Sequence, residues 1–364
     1  MKSEIKTAII MGAVVAVAIM AASVYFASLD MGHQGTGIQS AASGADKSGL
    51  KKAPALNGIA GYINTDESLA EELEGKVVLY DIWTYSCINC IRTLPYITAW
   101  DEKYSDMGLI IVGIHSPEFE FEKNIENVRA AVNKYGIDYP VVLDNEKEIW
   151  DSFGNRYWPR KYIADHEGYI RYDHIGEGSY DETERIIQSL LAERESSLGM
   201  QVSAAQPLVD IREFEHETRT PELYFGYNFA FGRSQLGNSE GFQPNMDVSY
   251  KVPSQLRENH FYMDGTWKNL GDKMMLASES GRIILPYHAK QVNIVAAGNA
   301  SLEILIDGNP ISPSIAGTDI VDSNRVTVSG PTLYNLVNEQ GASRHTIEIR
   351  VDGPGFEIYT FTFG

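Results

Sequence analysis

Cys87 and Cys90 are the only two cysteines of this 364-residue chain, and they stand as C-x-x-C directly after the apolar, β-branched run Val78-Leu-Tyr-Asp-Ile82. A strand running into a helix that opens at the motif puts Cys87 at the helix N-terminus, where unpaired N–H groups favour a thiolate over a thiol. Cys90, a turn further on, reaches back to close a disulfide. The chemistry this predicts is thiol–disulfide exchange: Cys87 attacks a disulfide sulfur, a mixed disulfide forms, and Cys90 resolves it. A structural zinc site needs four ligands, and there is neither a second C-x-x-C nor an H-x3-5-H pair, so no metal is expected. A c-type haem attachment needs His after the second Cys, and Ile91 stands there. A purely structural disulfide stays open, although so short a loop gives little entropic stabilisation. No cofactor beyond the redox-active pair itself is expected.

Placing those sulfurs takes an alternation of strands and helices, which residues 58–197 display. The pattern predicts a strand at Lys76–Ile82, a helix from the motif to about Tyr104, and a strand at Leu109–Ile114. Phe121, Ile125, Val128, Val132 and Tyr135 keep helical spacing, and a strand at Pro140–Asp144 follows. Lys161–Ala164 and Tyr169–Tyr172 read as a hairpin around Asp165-His-Glu-Gly168. Ser179-x-x-Glu182 reads as a capping box opening a last helix with Ile186, Ile187, Leu190 and Leu191 on its apolar face. This order describes an α/β sandwich. Asp81 falls in a strand covered on both faces, where a carboxylate costs several kcal/mol unless neutralised or used. Burial of that kind raises its pKa and makes it an acid/base for Cys90; the alternative is a strand-end Asp reaching solvent.

The arrangement resembles the thioredoxin superfamily. Asp81 stands where thioredoxins carry the buried carboxylate that relays a proton to the second cysteine, and Trp83 where they carry an active-site tryptophan. Pro95 matches the proline that kinks the active-site helix. Trp158-Pro159 matches the cis-proline that faces the disulfide, and the resemblance implies that Trp83, Trp158 and Pro159 shape a substrate groove. The extra chain between the second strand and the hairpin resembles the membrane-anchored TlpA and ResA type, which implies a role near the disulfide for Glu118; a solvated acidic loop residue is the alternative. Ile88-Asn89 replaces the usual Gly-Pro and leaves the reduction potential open. The runs Trp83-Thr-Tyr-Ser-Cys-Ile-Asn-Cys90, His115-Ser-Pro-Glu-Phe-Glu-Phe-Glu-Lys123 and Asn155-Arg-Tyr-Trp-Pro-Arg-Lys-Tyr162 resemble the soluble part of DipZ-type proteins. That likeness implies a CcdA-type membrane electron carrier as partner, here on a separate chain.

The other regions set the context. An uncharged run from Thr7 to Leu29 reaches roughly 34 Å as a helix, enough to cross a bilayer core. Residues 1–29 are therefore expected to be a membrane anchor, with a cleaved signal peptide left open. Lys2 and Lys6 favour the N-terminus inside and the domains on the extracytoplasmic side. Residues 30–57, rich in Gly, Ser, Ala and Gln, read as a flexible linker. The net charge of −19 argues against nucleic acid as a partner.

Residues 205–364 lose helical periodicity. Strands are predicted at Ile283–Pro286, Val292–Ala296, Leu302–Ile306, Arg325–Ser329, His345–Val351 and Phe356–Phe363, which together describe an all-β jelly-roll-like sandwich. Thr220-Pro-Glu-Leu-Tyr-Phe-Gly-Tyr227, Leu333-Tyr-Asn-Leu-Val337 and Tyr359-Thr-Phe-Thr-Phe-Gly364 extend the DipZ-type resemblance, which implies a carbohydrate-binding module here. Phe225, Tyr227, Phe229 and Phe231 alternate as on one face of a strand, as a sugar platform or as core; Trp267, read as a loop residue, is a second sugar-stacking candidate.

The expected function is a membrane-anchored, extracytoplasmic thiol–disulfide oxidoreductase acting on protein disulfides. Cys87 is the nucleophile, Cys90 the resolving thiol, Asp81 the proton acceptor and Glu118 a tuning group. One rival is a peroxiredoxin-like thiol peroxidase, suggested by Thr84-x-x-Cys87, although Tyr80 stands where that motif wants proline. The other is a glycan-binding surface protein in which the redox fold is only a carrier.

Overall fold

The computed structural model describes residues 47–215 and 217–364. The expected anchor 1–29 and the linker as far as residue 46 lie outside the described residues. Among the described residues, no helix is long and apolar enough to cross a membrane.

The first unit runs β1 (Gly61–Ile63), α1 (Leu69–Glu72), β2 (Val77–Trp83), α2 (Ile88–Tyr104), β3 (Leu109–His115), α3 (Ile125–Tyr135), β4 (Val141–Leu143), α4 (Glu148–Ser152), β5 (Arg160–Ala164), β6 (Ile170–Ile175) and α5 (Tyr180–Ser197). Its strands form one sheet in the order β1-β4-β3-β2-β5-β6. β2 is parallel to β3 and antiparallel to β5, so its backbone is paired on both sides. All seven of its residues are buried, as a near-continuous apolar run in a sheet covered on both faces should be. Leu94, Ile97 and Trp100 of α2 and Ile187, Leu190 and Leu191 of α5 fill one face, and Ile149 and Trp150 of α4 help fill the other.

Two expectations need correction here. Ser179 does not form a capping box: its φ is 47° and its side chain makes no cap hydrogen bond, so the left-handed turn takes the hydroxyl away from the helix end. The last stretch of the supposed linker is not free chain. Ala53 N donates to Gly168 O and Ile170 N to Lys51 O, which ties residues 51–53 to the β5–β6 hairpin. Ala53 and Leu56 then pack against the core.

The second unit runs β7 (Leu223–Tyr224), α6 (Tyr227–Ala230), β8 (Asp247–Tyr250), β9 (Tyr262–Asn269), β10 (Met274–Leu276), β11 (Ser280–Ala297), β12 (Ala300–Ile306), β13 (Asn309–Pro310), β14 (Arg325–Val328), β15 (Thr332–Asp352) and β16 (Glu357–Phe363). Rather than two separate sheets, one continuous antiparallel sheet folds over a single core. β11 pairs with β9 near its start and with β16 near its end, and β10 joins those two partners. Irregularities between Ala289 and Gln291 and between Val292 and Asn293 break the β11–β15 ladder, the kind of interruption at which long strands bend.

The aromatic readings in this unit are also corrected. Tyr227–Ala230 is a short helix, so the four alternating aromatics share no strand face. The chain turns there because Gly226 lies against the backbone of Asp272, where a Cβ would collide. Phe225 is buried in the core, Phe231 is exposed, and Tyr227 is half-buried with its hydroxyl 3.4 Å from Asn245 Oδ1. Trp267 lies in β9 with no exposed surface and donates through Nε1 to Asp264 O at 2.9 Å, so no sugar ring can stack on it.

Candidate active site

β2 delivers the chain to the turn Thr84-Tyr-Ser86, and Cys87 is the N-cap of α2. Its φ and ψ of −79° and 117° are extended, so the helix begins at the next residue. Cys90 N donates to Cys87 Sγ at 3.3 Å, so the sulfur occupies the position of a capping oxygen and faces the helix's free N–H groups. Both cysteines are unbonded; Cys87 is partly exposed and Cys90 buried. This is the asymmetry expected of an attacking sulfur and a sheltered resolving one. Burial pushes the Cys90 thiol well up, with contact to Cys87 and the charge of Asp81 adding to the effect. Pro95 sits inside α2 and supplies no N–H to the preceding turn.

Asp81 is 1% exposed and faces Lys161 directly across the β2–β5 ladder. Burial raises its carboxyl to about 6, against the attraction of Lys161. The Lys161 ammonium is in turn lowered to about 8 by burial, held up by Asp81, and donates to Gly176 O at 3.1 Å. This buried pair behind Cys90 is only half visible in the sequence. Lys161 reads there as a hairpin residue, and its partner is fixed by strand register, which no local motif announces.

The remaining candidates separate. Trp83 has no exposed surface and sits edge-on to His115, with ring centroids 5.3 Å apart. It walls the core and forms no part of a groove, because it is the last residue of a strand covered on both faces. Trp158 is half-buried, donates through Nε1 to Ser116 O at 2.9 Å, and packs on Trp150 at 4.2 Å; the Trp158–Pro159 peptide is cis. Glu118 is engaged by the second unit, accepting from Tyr224 Oη at 2.9 Å. Its carboxyl is raised to about 8, by burial first and then by Glu222 and Glu122.

The acid joined to the motif is instead Glu122, which in the sequence does not stand out from the other acids of its loop. It is fully buried and accepts from Ser86 Oγ at 2.6 Å and from the backbone N–H groups of Glu118 and Phe119. Its signal is the phase of Phe119-Glu-Phe-Glu122, which turns it inward beside Phe119. His115 is buried, lowered to about 3 by burial, and sits 3.4 Å from both Thr84 Oγ1 and Tyr85 N. Neutral at ordinary pH, it braces the turn before Cys87.

The second unit closes one side of this site. Tyr85 Oη donates to Pro331 O at 3.2 Å. Phe119 and Phe121 pack on Tyr359, with ring centroids 5.1 and 4.7 Å apart, and Tyr224, Val295 and Ala297 complete the same apolar cluster. Among the described residues, no group of three His, Cys, Asp or Glu side chains is placed to hold a metal.

An alternating α/β unit with a C-x-x-C capping its long helix defines a thioredoxin-like redox domain. Residues 51–191 match the Redoxin family, and residues 220–364 match the family described as the thioredoxin-like C-terminal domain. Both matched stretches are thus similar to thioredoxin-like redox families. Protein DipZ of Mycobacterium tuberculosis is 33% identical over 315 residues, covering 86% of this chain and 43% of DipZ, so the chain spans less than half of that relative's length. Thiol-disulfide oxidoreductase YkuV of Bacillus subtilis is 26% identical over 142 residues, 39% of this chain and 95% of YkuV. Thiol-disulfide oxidoreductase ResA of Bacillus thuringiensis is 26% identical over 120 residues, 33% of this chain and 66% of ResA.

Proposed function

We propose that the chain is a thiol–disulfide oxidoreductase acting on protein disulfides, anchored by residues 1–29 with its domains on the extracytoplasmic side. The observation that carries the redox reading is a partly exposed Cys87 capping a helix, backed by a buried Cys90 within the influence of Asp81. The Cys87 thiolate attacks one sulfur of a substrate disulfide and expels the other as a thiolate, leaving a mixed disulfide. Cys90 gives its proton to Asp81, attacks Cys87 Sγ and expels the second substrate sulfur, so the substrate gains the two electrons that the cysteine pair loses. Partial burial of Cys87 favours a reactive loop or extended segment as substrate over a bulky folded surface. A CcdA-type membrane carrier is the proposed source of electrons.

Equilibration with glutathione mixtures, followed by alkylation and mass measurement, tests the redox reading. Both cysteines should oxidise together as one two-electron couple; independent glutathionylation without a Cys87–Cys90 disulfide would contradict it. The anchoring reading predicts that the full-length chain stays with membranes through a carbonate wash. Release of the intact chain, or of a shortened soluble product, contradicts an uncleaved anchor.

A further inference from the structure

Glu122 is a buried acid that the proposed chemistry leaves unused. It lies in a short helical turn, Glu120–Lys123, with no exposed surface, where an apolar neighbour for Phe119 would cost less than a carboxyl. Its donors show what it does there. Oε1 accepts from Ser86 Oγ at 2.6 Å, and Oε2 accepts from the backbone N–H groups of Glu118 at 2.6 Å and Phe119 at 2.9 Å. Ser86 belongs to the turn that leaves β2, and Glu118 and Phe119 to the loop that leaves β3, the adjacent parallel strand. One side chain therefore ties together two loops at the same end of the sheet. Ser86 is itself buried, so water does not compete for the bond between them.

The tie ends one residue short of Cys87. Thr84 to Cys87 lie between β2 and α2 without strand pairing, so side-chain contacts must fix their path. Cys87 N donates to Thr84 O at 3.3 Å, and Cys87 Sγ takes the cap position 3.3 Å from Cys90 N. On its other side the loop is braced by the β unit, where Glu118 accepts from Tyr224 Oη and Phe119 packs on Tyr359 and Phe229. Burial raises the Glu122 carboxyl, and its hydrogen-bond donors, Ser86 first, hold it down. The charged and titratable groups around it are Glu118, Tyr85 and Lys147, the N-cap of α4. Those around Cys87 are Cys90, Arg92 and the Asp81–Lys161 pair behind Cys90.

We propose that Glu122 is a positioning residue for Cys87: through Ser86 it ties the turn that opens α2 to the loop carrying Glu118 and Phe119, and so holds the attacking sulfur at the helix N-terminus. It acts as an acceptor that fixes a loop, and its charge is not what the sulfur needs. This rests on Cys87 being the nucleophile.

The test is the alkylation rate of Cys87 by iodoacetamide in the full chain, located by peptide mapping and measured from about pH 6 to about pH 10. Ser86→Ala removes one hydroxyl and leaves the carboxyl its two backbone donors. It should slow alkylation about fivefold at the acid end, where the helix end helps the sulfur ionise, and less than about twofold at the alkaline end. Glu122→Gln keeps the tie without the charge, because the amide oxygen accepts from both backbone N–H groups and the amide nitrogen donates to Ser86 Oγ. Its rate should stay within about twofold of wild type throughout. An equal loss at both ends in Ser86→Ala, or none at either, overturns the proposal. So does Glu122→Gln alkylating several-fold faster than wild type at the acid end, which would make the charge the effective feature. If Glu122→Gln does not fold, Ser86→Ala decides alone by the same split between the two ends. Should wild-type Cys87 alkylate readily yet never exchange with a disulfide, the functional reading fails on its own, independently of the Ser86 and Glu122 variants.

Discussion

Replacing Cys87 with serine is expected to lower turnover of a disulfide substrate by at least about a thousandfold, because it removes the sulfur that forms the mixed disulfide. Cys90→Ser should behave differently. Its first attack proceeds, since Cys87 keeps both its exposure and its place at the helix end, but no second thiol is positioned to expel the substrate. Turnover should therefore collapse while a covalent adduct accumulates. A peroxidase would separate from this pattern by consuming hydrogen peroxide undiminished in Cys90→Ser. Steady-state assays with a disulfide peptide and with peroxide on the two variants distinguish the two chemistries.

Asp81→Asn should raise stability while slowing resolution. The Asp81 carboxyl moves from 3.8 to about 6 on folding, chiefly through burial. An acid whose pKa is raised in the folded state binds more protons there than in the unfolded chain, so stability falls as pH rises through the window from about 4 to about 6. Above that window the cost is fully present, at about 3 kcal/mol from 1.36 kcal/mol per unit; below about pH 4 it vanishes. Urea unfolding should accordingly find Asp81→Asn more stable than wild type by about 3 kcal/mol near neutrality and indistinguishable from it at the acid end. The same substitution removes the base behind Cys90, whose buried thiol resists ionisation, and should slow release of substrate by about a hundredfold. A gain in stability joined to a loss in rate is the signature of a buried acid retained for chemistry. Unchanged stability across the whole pH range would place Asp81 in contact with solvent.

Much of the redox unit is legible in the sequence because its signals are local. A fully apolar strand, a C-x-x-C at its end and Ile125, Val128 and Val132 at helical spacing each specify their element without reference to distant chain. Long-range partners are not legible. Nothing near Lys161 shows that it faces Asp81, and nothing near Glu118 shows that Tyr224, over a hundred residues on, holds it in place of the cysteines. Ser179 carries the correct cap residue type, but backbone geometry decides against its use. In the β unit, alternation at Phe225–Phe231 mimics a strand, because period two says nothing of the Gly226 turn imposed by the backbone of Asp272. Trp267 looks like a loop residue beside Asp264-Gly265, yet those two residues continue β9 and carry the indole into the core.

The most direct measurement is peptide mapping of the adduct trapped by Cys90→Ser after incubation with a disulfide-bonded protein. If Cys87 is the exchanging sulfur, the whole adduct maps to Cys87, at one substrate equivalent per chain, and a reducing agent releases it. Absence of any adduct, while Cys87 remains open to iodoacetamide, contradicts a disulfide-exchange role for this site.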